Sequence, residues 1–194
     1  MPAHHAPWQR TLTAFAGRGI AQPSEMMRVS DDEAAAILAT LSGVDWLLPT
    51  YMGQGRSEEY RVANATKPAT SGLFHGDRVV GFYVASYLWI DRAHRGRGLA
   101  VPLILTAACQ RGGTVVPPGV VLQGYTRGGV AAHRAAHGHA VRRALAAGLP
   151  VPPAVRAEVL AGKGTGHPGR RLTGPGPDAA APSPFDSPFR RPAA

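Results

Sequence analysis

The chain has 194 residues, room for one ordinary domain, but 24 are glycine and 18 proline. Together these exceed a fifth of the chain, against roughly 12% in an average protein. An apolar fraction of 44% excludes a wholly disordered chain, and the lack of a Gly-X-Y period excludes collagen. The longest uncharged apolar run near the middle, Val79 to Ile90, is 12 residues, short of the ~18–20 that a membrane-spanning helix needs.

The formal charge is +9, carried by 19 Arg and 2 Lys, and it is unevenly spread. Glu25 to Glu59 holds seven acids and two bases, whereas Arg92 to Arg156 holds nine arginines and no acid. A uniformly positive segment suits a polyanionic partner, either a phosphorylated cofactor or a nucleic acid; the alternative is a solvated basic face. Cys109 is the one cysteine, which excludes a disulfide framework, and its apolar neighbours predict an inert core thiol. Residues Met1 to Arg10 lack the apolar core of a signal peptide, so a cytoplasmic protein is expected.

Residues 1–27 are weakly patterned and are expected to be partly ordered at best. Ser30-Asp31-Asp32-Glu33 is a capping box opening a helix of about three turns. Ala34, Ile37, Leu38 and Leu41 follow at helical spacing and Gly43 supplies the stop. Ala69 to Phe74 predicts a strand, and His75-Gly76-Asp77-Arg78 a hairpin turn. Val79 to Ala85 and Ser86 to Ile90 form either two strands with a tight break or one strand with a bulge. The Gly-rich turn Arg95 to Gly98 leads into a helix over Leu99 to Ala108, in which Pro102 is tolerated only near the first turn. Gly112-Gly113 ends that helix. A short strand is expected at Val120 to Gln123, a long helix from about Gly129 to Ala147, and a turn or two more at Val155 to Leu160. From Ala161 onward Gly, Pro, Ser and Ala dominate with no periodic apolar face. Residues 161–194 are therefore expected to be a disordered basic tail, leaving 28–160 as the folded domain.

The run Leu88-Trp89-Ile90-Asp91-Arg92-Ala93-His94-Arg95-Gly96-Arg97-Gly98-Leu99-Ala100 carries the most information. Glycines let a backbone approach an anion closely, successive N–H groups converge on it, and a helix N-terminus adds a favourable dipole. The run resembles the acyl-CoA-binding motif of the GNAT N-acetyltransferase superfamily: Arg or Gln, two residues, Gly, one residue, then Gly or Ala. Arg95, Gly98 and Ala100 stand at those positions. The resemblance covers roughly residues 28–148. It implies an α/β (α+β) fold with a mixed, mostly antiparallel sheet flanked by helices. It also implies acetyl-CoA as donor and a primary amine as acceptor.

By that resemblance Arg95, Gly96, Arg97, Gly98, Leu99 and Ala100 cradle the pyrophosphate, and the strand backbone at Trp89 and Ile90 pairs with the pantetheine arm. The chain departs from the pattern in three places. Pro150, Pro152 and Pro153 leave little strand signal for the last two strands of such a fold. The carboxylate often found on the strand before the motif is missing, with Tyr83, Ser86, Tyr87 and Trp89 in that region. The tyrosine general acid of the later helix is missing too.

Projected at 100° per residue, Val130, His133, His137, Val141 and Ala144 share one face of the long helix, with His139, Arg142 and Arg143 away from it. Either His133 or His137 replaces the missing general acid or contacts the acceptor, or both are hydrogen-bonded core residues. Their i, i+4 spacing alone does not make a metal site, because no third ligand is evident. Tyr125, after the short strand, is a candidate to protonate the leaving sulfur or else half-buried packing. Glu58 and Glu59 are candidates to attract a cationic acceptor, or solvated surface charge; Trp46 and Trp89 are expected to pack. Two other functions stay open: an acyltransferase fold kept for coenzyme A binding or protein contact, and a basic nucleic-acid platform. The short C-terminal half also leaves room for a second subunit to complete the sheet, giving a homo-oligomer.

Overall fold

The computed structural model describes residues 6–49, 51–52, 59–117 and 124–161. The predicted strand at 120–123, Glu58 and the tail from 162 lie outside them. The fold is mixed α+β: one antiparallel sheet in the order β1-β2-β3-β4-β5, with helices on both faces. The strands are β1 (Tyr51–Met52), β2 (Tyr60–Asn64), β3 (Thr70–His75), β4 (Arg78–Val84) and β5 (Tyr87–Ile90). The helices are α1 (Leu12–Ala16), α2 (Asp31–Leu41), α3 (Ala100–Gln110), α4 (Arg127–Ala146) and α5 (Pro153–Ala161). This class is compatible with the one that the resemblance implies.

Local chemistry sets most element ends. The Ser30 hydroxyl accepts from Glu33 N at 3.2 Å and the Glu33 carboxylate accepts from Ser30 N at 2.8 Å, closing the expected capping box of α2. The Thr126 hydroxyl caps α4 by accepting from Gly129 N at 3.0 Å. Pro102 falls at the third residue of α3, where no intrahelical N–H is lost. The β3–β4 hairpin turns through Gly76 at φ +57°, with His75 paired to Arg78. Val79 to Ile90 proves to be two strands, broken at Ala85, whose φ is +50°. The pairing shifts between Leu73 and Phe74, so the faces of β4 change phase: Val80 and Tyr83 meet one core, Phe82 and Val84 the other.

The larger core lies between the sheet and α1, α3 and α4, and includes Phe15, Leu73, Tyr83, Leu103 and Ile104. The smaller one sits under α2, where Ala34, Leu41 and Phe82 meet Trp46 and Trp89. Arg111, just past α3, fastens the end of the sheet beside the β4–β5 break. Its guanidinium donates to the carbonyls of Ala85 (2.7 Å), Ala69 (2.8 Å) and Val115, and lies over the Tyr83 ring. Ala69 and Ala85 are the only non-glycine residues at positive φ among the described residues. A charged planar fork therefore holds both strained turns, linked directly by Ala85 N donating to Ala69 O at 2.9 Å.

Two expectations are corrected and one strand is added. Residues 6–27 are not loose: Phe15 and Ala16 are fully buried, Arg10 donates to Gly112 O, and Leu12 N donates to the Glu158 carboxylate on α5. A five-residue helix is too short to show an amphipathic period, so the sequence hides its role. Residues 60–64 form a sheet strand to which the sequence reading assigned no element. Cys109 is exposed on α3, not a core thiol.

Candidate functional site

A cleft of about 640 Å³ opens where β5, the start of α4 and the segment before α2 meet. Tyr87, Trp89, Ile90 and Arg95 line one wall, and Tyr125, Arg127, Gly129 and His133 the other. Glu25, Arg28, Ser30 and Asp31 close it. β5 is the last strand of the sheet, so its outer edge has no strand partner among the described residues. Four arginines (Arg28, Arg92, Arg95, Arg127) face two acids (Glu25, Asp31), which leaves the cleft positive.

After β5 the Asp91 carboxylate accepts from Ala93 N at 3.0 Å, turning the chain through Arg92 to His94. Gly96 and Gly98 then take φ of +75° and +77°, a conformation that side-chain-bearing residues rarely adopt, and their N–H groups have no partner among the described residues. Arg95 Nε donates to Ile90 O at 2.6 Å, so this arginine stands at the end of the open edge. Of the residues expected to hold the donor, Trp89, Ile90, Arg95 and Ala100 line the cleft. Gly96, Arg97 and Gly98 are exposed outside its lining, and Leu99 is buried as the first residue before α3.

The proton-transfer candidates sit deeper. Gly129 O can only accept, so His133 Nδ1–H donates to it at 2.7 Å, and Nε2 accepts from the Tyr83 hydroxyl at 3.0 Å. His133 is thus a neutral imidazole, and burial lowers its pKa to about 4. His137 also has a pKa lowered by burial; its Nε2 donates to Arg10 O at 2.8 Å and it is not on the cleft wall. The Tyr125 ring lines the cleft, 4.4 Å from the His133 ring, but its hydroxyl donates to Ala16 O at 2.6 Å. Burial raises the pKa of both Tyr83 and Tyr125. Each of these side chains has its own protein partner, His133 with Tyr83 and Gly129, Tyr125 with Ala16 and His137 with Arg10, and both histidines are buried, the second arrangement that the helical projection allowed. Among the described residues no three His, Cys, Asp or Glu side chains converge on a point that could hold a metal.

Comparison of the chain with family models, curated proteins and solved structures finds no match in any of the three.

Glu59 is turned away from the cleft, within 2.6 Å of His75 Nε2. The acids that do face the cleft are Glu25 and Asp31, which sequence reasoning missed. Glu25 accepts from Arg127 N at 3.0 Å and from Arg28 at 3.1 Å, and both contacts hold its carboxyl below the usual range. A second group lies behind the Gly-rich loop. The Tyr60 hydroxyl contacts His94 Nδ1 at 2.7 Å and Arg97 leans over the Tyr60 ring, tying the loop's approach to β2. His94 has a pKa lowered by desolvation first and by His75 next.

Proposed function

We propose that the protein is an acyl-CoA-dependent N-acyltransferase that moves an acetyl group directly from acetyl-CoA to a primary amine. One observation carries the reading: a positive cleft has an unpaired strand edge along one wall and an arginine at the end of that edge, and the chain runs from this arginine into a turn of two positive-φ glycines, next to the cleft lining, at a helix start. That combination suits a ligand that is polyanionic at one end and amide-rich along its arm. The pyrophosphate would meet Arg95 and the start of α3, and the pantetheine amides the β5 edge. The thioester would then lie toward Tyr125 and the start of α4.

Transfer needs the amine nitrogen, free of its extra proton, to attack the thioester carbonyl carbon. The carbon–sulfur bond breaks and the thiolate takes a proton. The chain's contribution is mainly positioning and charge, because His133, His137 and Tyr125 already have protein partners. Those occupied hydrogen bonds favour a second reading, a coenzyme-A-binding module without turnover.

The test is release of free thiol from acetyl-CoA across a panel of primary amines. Amine-dependent release that falls at least tenfold in Arg95→Ala supports the enzyme. No release from any amine, with coenzyme A still bound, selects the module.

A further inference from the structure

A second groove of about 670 Å³ runs along the other side of α2, over the β3–β4 end of the sheet. Its walls share Asp31 and Trp89 with the donor cleft, so the two spaces abut at that pair. We infer that this groove takes the acceptor, and that the acceptor is a cationic primary amine with a flat apolar body. The inference rests on the acyltransferase reading and names the substrate class for that same site.

Three aromatic residues line the groove. Trp46 meets Phe74 edge-on at 4.9 Å, and Trp89 stacks on Phe82 from the neighbouring strand. The aromatic surface open to a ligand belongs to Trp46 and Trp89, which are half-buried; Phe74 is buried, with the Arg61 guanidinium 4.6 Å from its ring centroid. Such faces favour a planar apolar ligand through offset and edge contacts.

Charge supplies the other half. Five charged side chains line the groove, and four are paired: Arg61 with Asp77 at 3.3 Å and Arg78 with Asp91 at 4.0 Å. The fifth, Asp31, has no cationic side-chain partner among the described residues and stands at the junction. The groove is therefore net negative by one charge while the donor cleft is net positive. An ammonium group is complementary to Asp31 and a carboxylate is not. The acceptor lies with its body over the aromatic residues and its nitrogen at Asp31, on the donor side of the groove. In the transfer the ammonium gives up a proton to water. The resulting amine forms the carbon–nitrogen bond as the carbon–sulfur bond breaks, the second amine proton leaves, and the coenzyme departs as the protonated thiol.

The probes are 2-phenylethylamine, 3-phenylpropionate and ethylamine, titrated into the whole protein without acetyl-CoA while tryptophan fluorescence is followed. A saturable change with phenylethylamine alone, weakened at least tenfold in Asp31→Asn, is the expected result. Equal response to phenylpropionate, or no response to phenylethylamine, overturns the inference. Stabilisation by acetyl-CoA is measured in parallel. If acetyl-CoA stabilises the fold and phenylethylamine does not bind, the inference fails alone. If phenylethylamine binds and acetyl-CoA does not stabilise, the acyltransferase reading fails and the amine groove stands. Asp31→Asn keeps a cooperative thermal melt without ligand, which shows that the variant folds.

Discussion

Lowering the pH from 6.5 to 4 removes about 3 kcal/mol of folding stability through His133 alone. The unfolded chain binds a proton on this imidazole near its ordinary value of 6.5, whereas the folded chain, with the ring buried against Tyr83 and Gly129, binds it only near 4. Between those values the unfolded state holds more protons, so stability rises with pH and is fully present above 6.5. His137, lowered by burial as well, adds in the same direction. Total stabilities of small domains are about 5–15 kcal/mol, so an effect of this size is large. Urea unfolding at a series of pH values reads it directly. His133→Gln flattens most of the slope below 6.5. An equal slope in that variant would show that the histidine is charged or exposed in the folded protein.

Phe15→Ala costs about 3–5 kcal/mol, the range for emptying a fully buried aromatic site. The side chain sits in the larger core against His137, with ring centroids 5.3 Å apart. The Phe15 carbonyl accepts from Val115 N and from the Thr114 hydroxyl, so helix α1 is stitched to the chain after α3. The prediction separates an N-terminal segment that belongs to the core from one that merely covers it. A denaturant midpoint nearly unchanged in Phe15→Ala would place residues 12–16 outside the cooperative unit.

What was legible in the sequence was local. The Ser30–Glu33 box, the Gly76 turn and the inward face of α4 rest on contacts within a few residues, and the structure forms each of them. The same holds for the approach to the Gly-rich turn, where β5 ends at Ile90 and α3 starts at Ala100. What was not legible depends on distant partners. Tyr60–Asn64 becomes a strand because β3 pairs with it, and its five residues carry too little alternation to say so alone. Glu25 enters the cleft because Ser24 N bonds Tyr125 O and Glu25 reaches Arg127 N, about a hundred residues away. The fates of His133 and His137 were undecided for the same reason. A helical projection shows that they face inward, but only the fold supplies Tyr83 and Arg10 as their partners.

Acetyl-CoA binding in the positive cleft along β5, as proposed, is read from the melting temperature with and without that ligand. Acetyl-CoA at about a hundred times its dissociation constant should add about 2.7 kcal/mol of stability. Nucleic acid should add none, and Arg95→Ala should move the response to higher ligand concentration. No shift at millimolar acetyl-CoA, in a protein that melts cooperatively, would contradict the proposed binding.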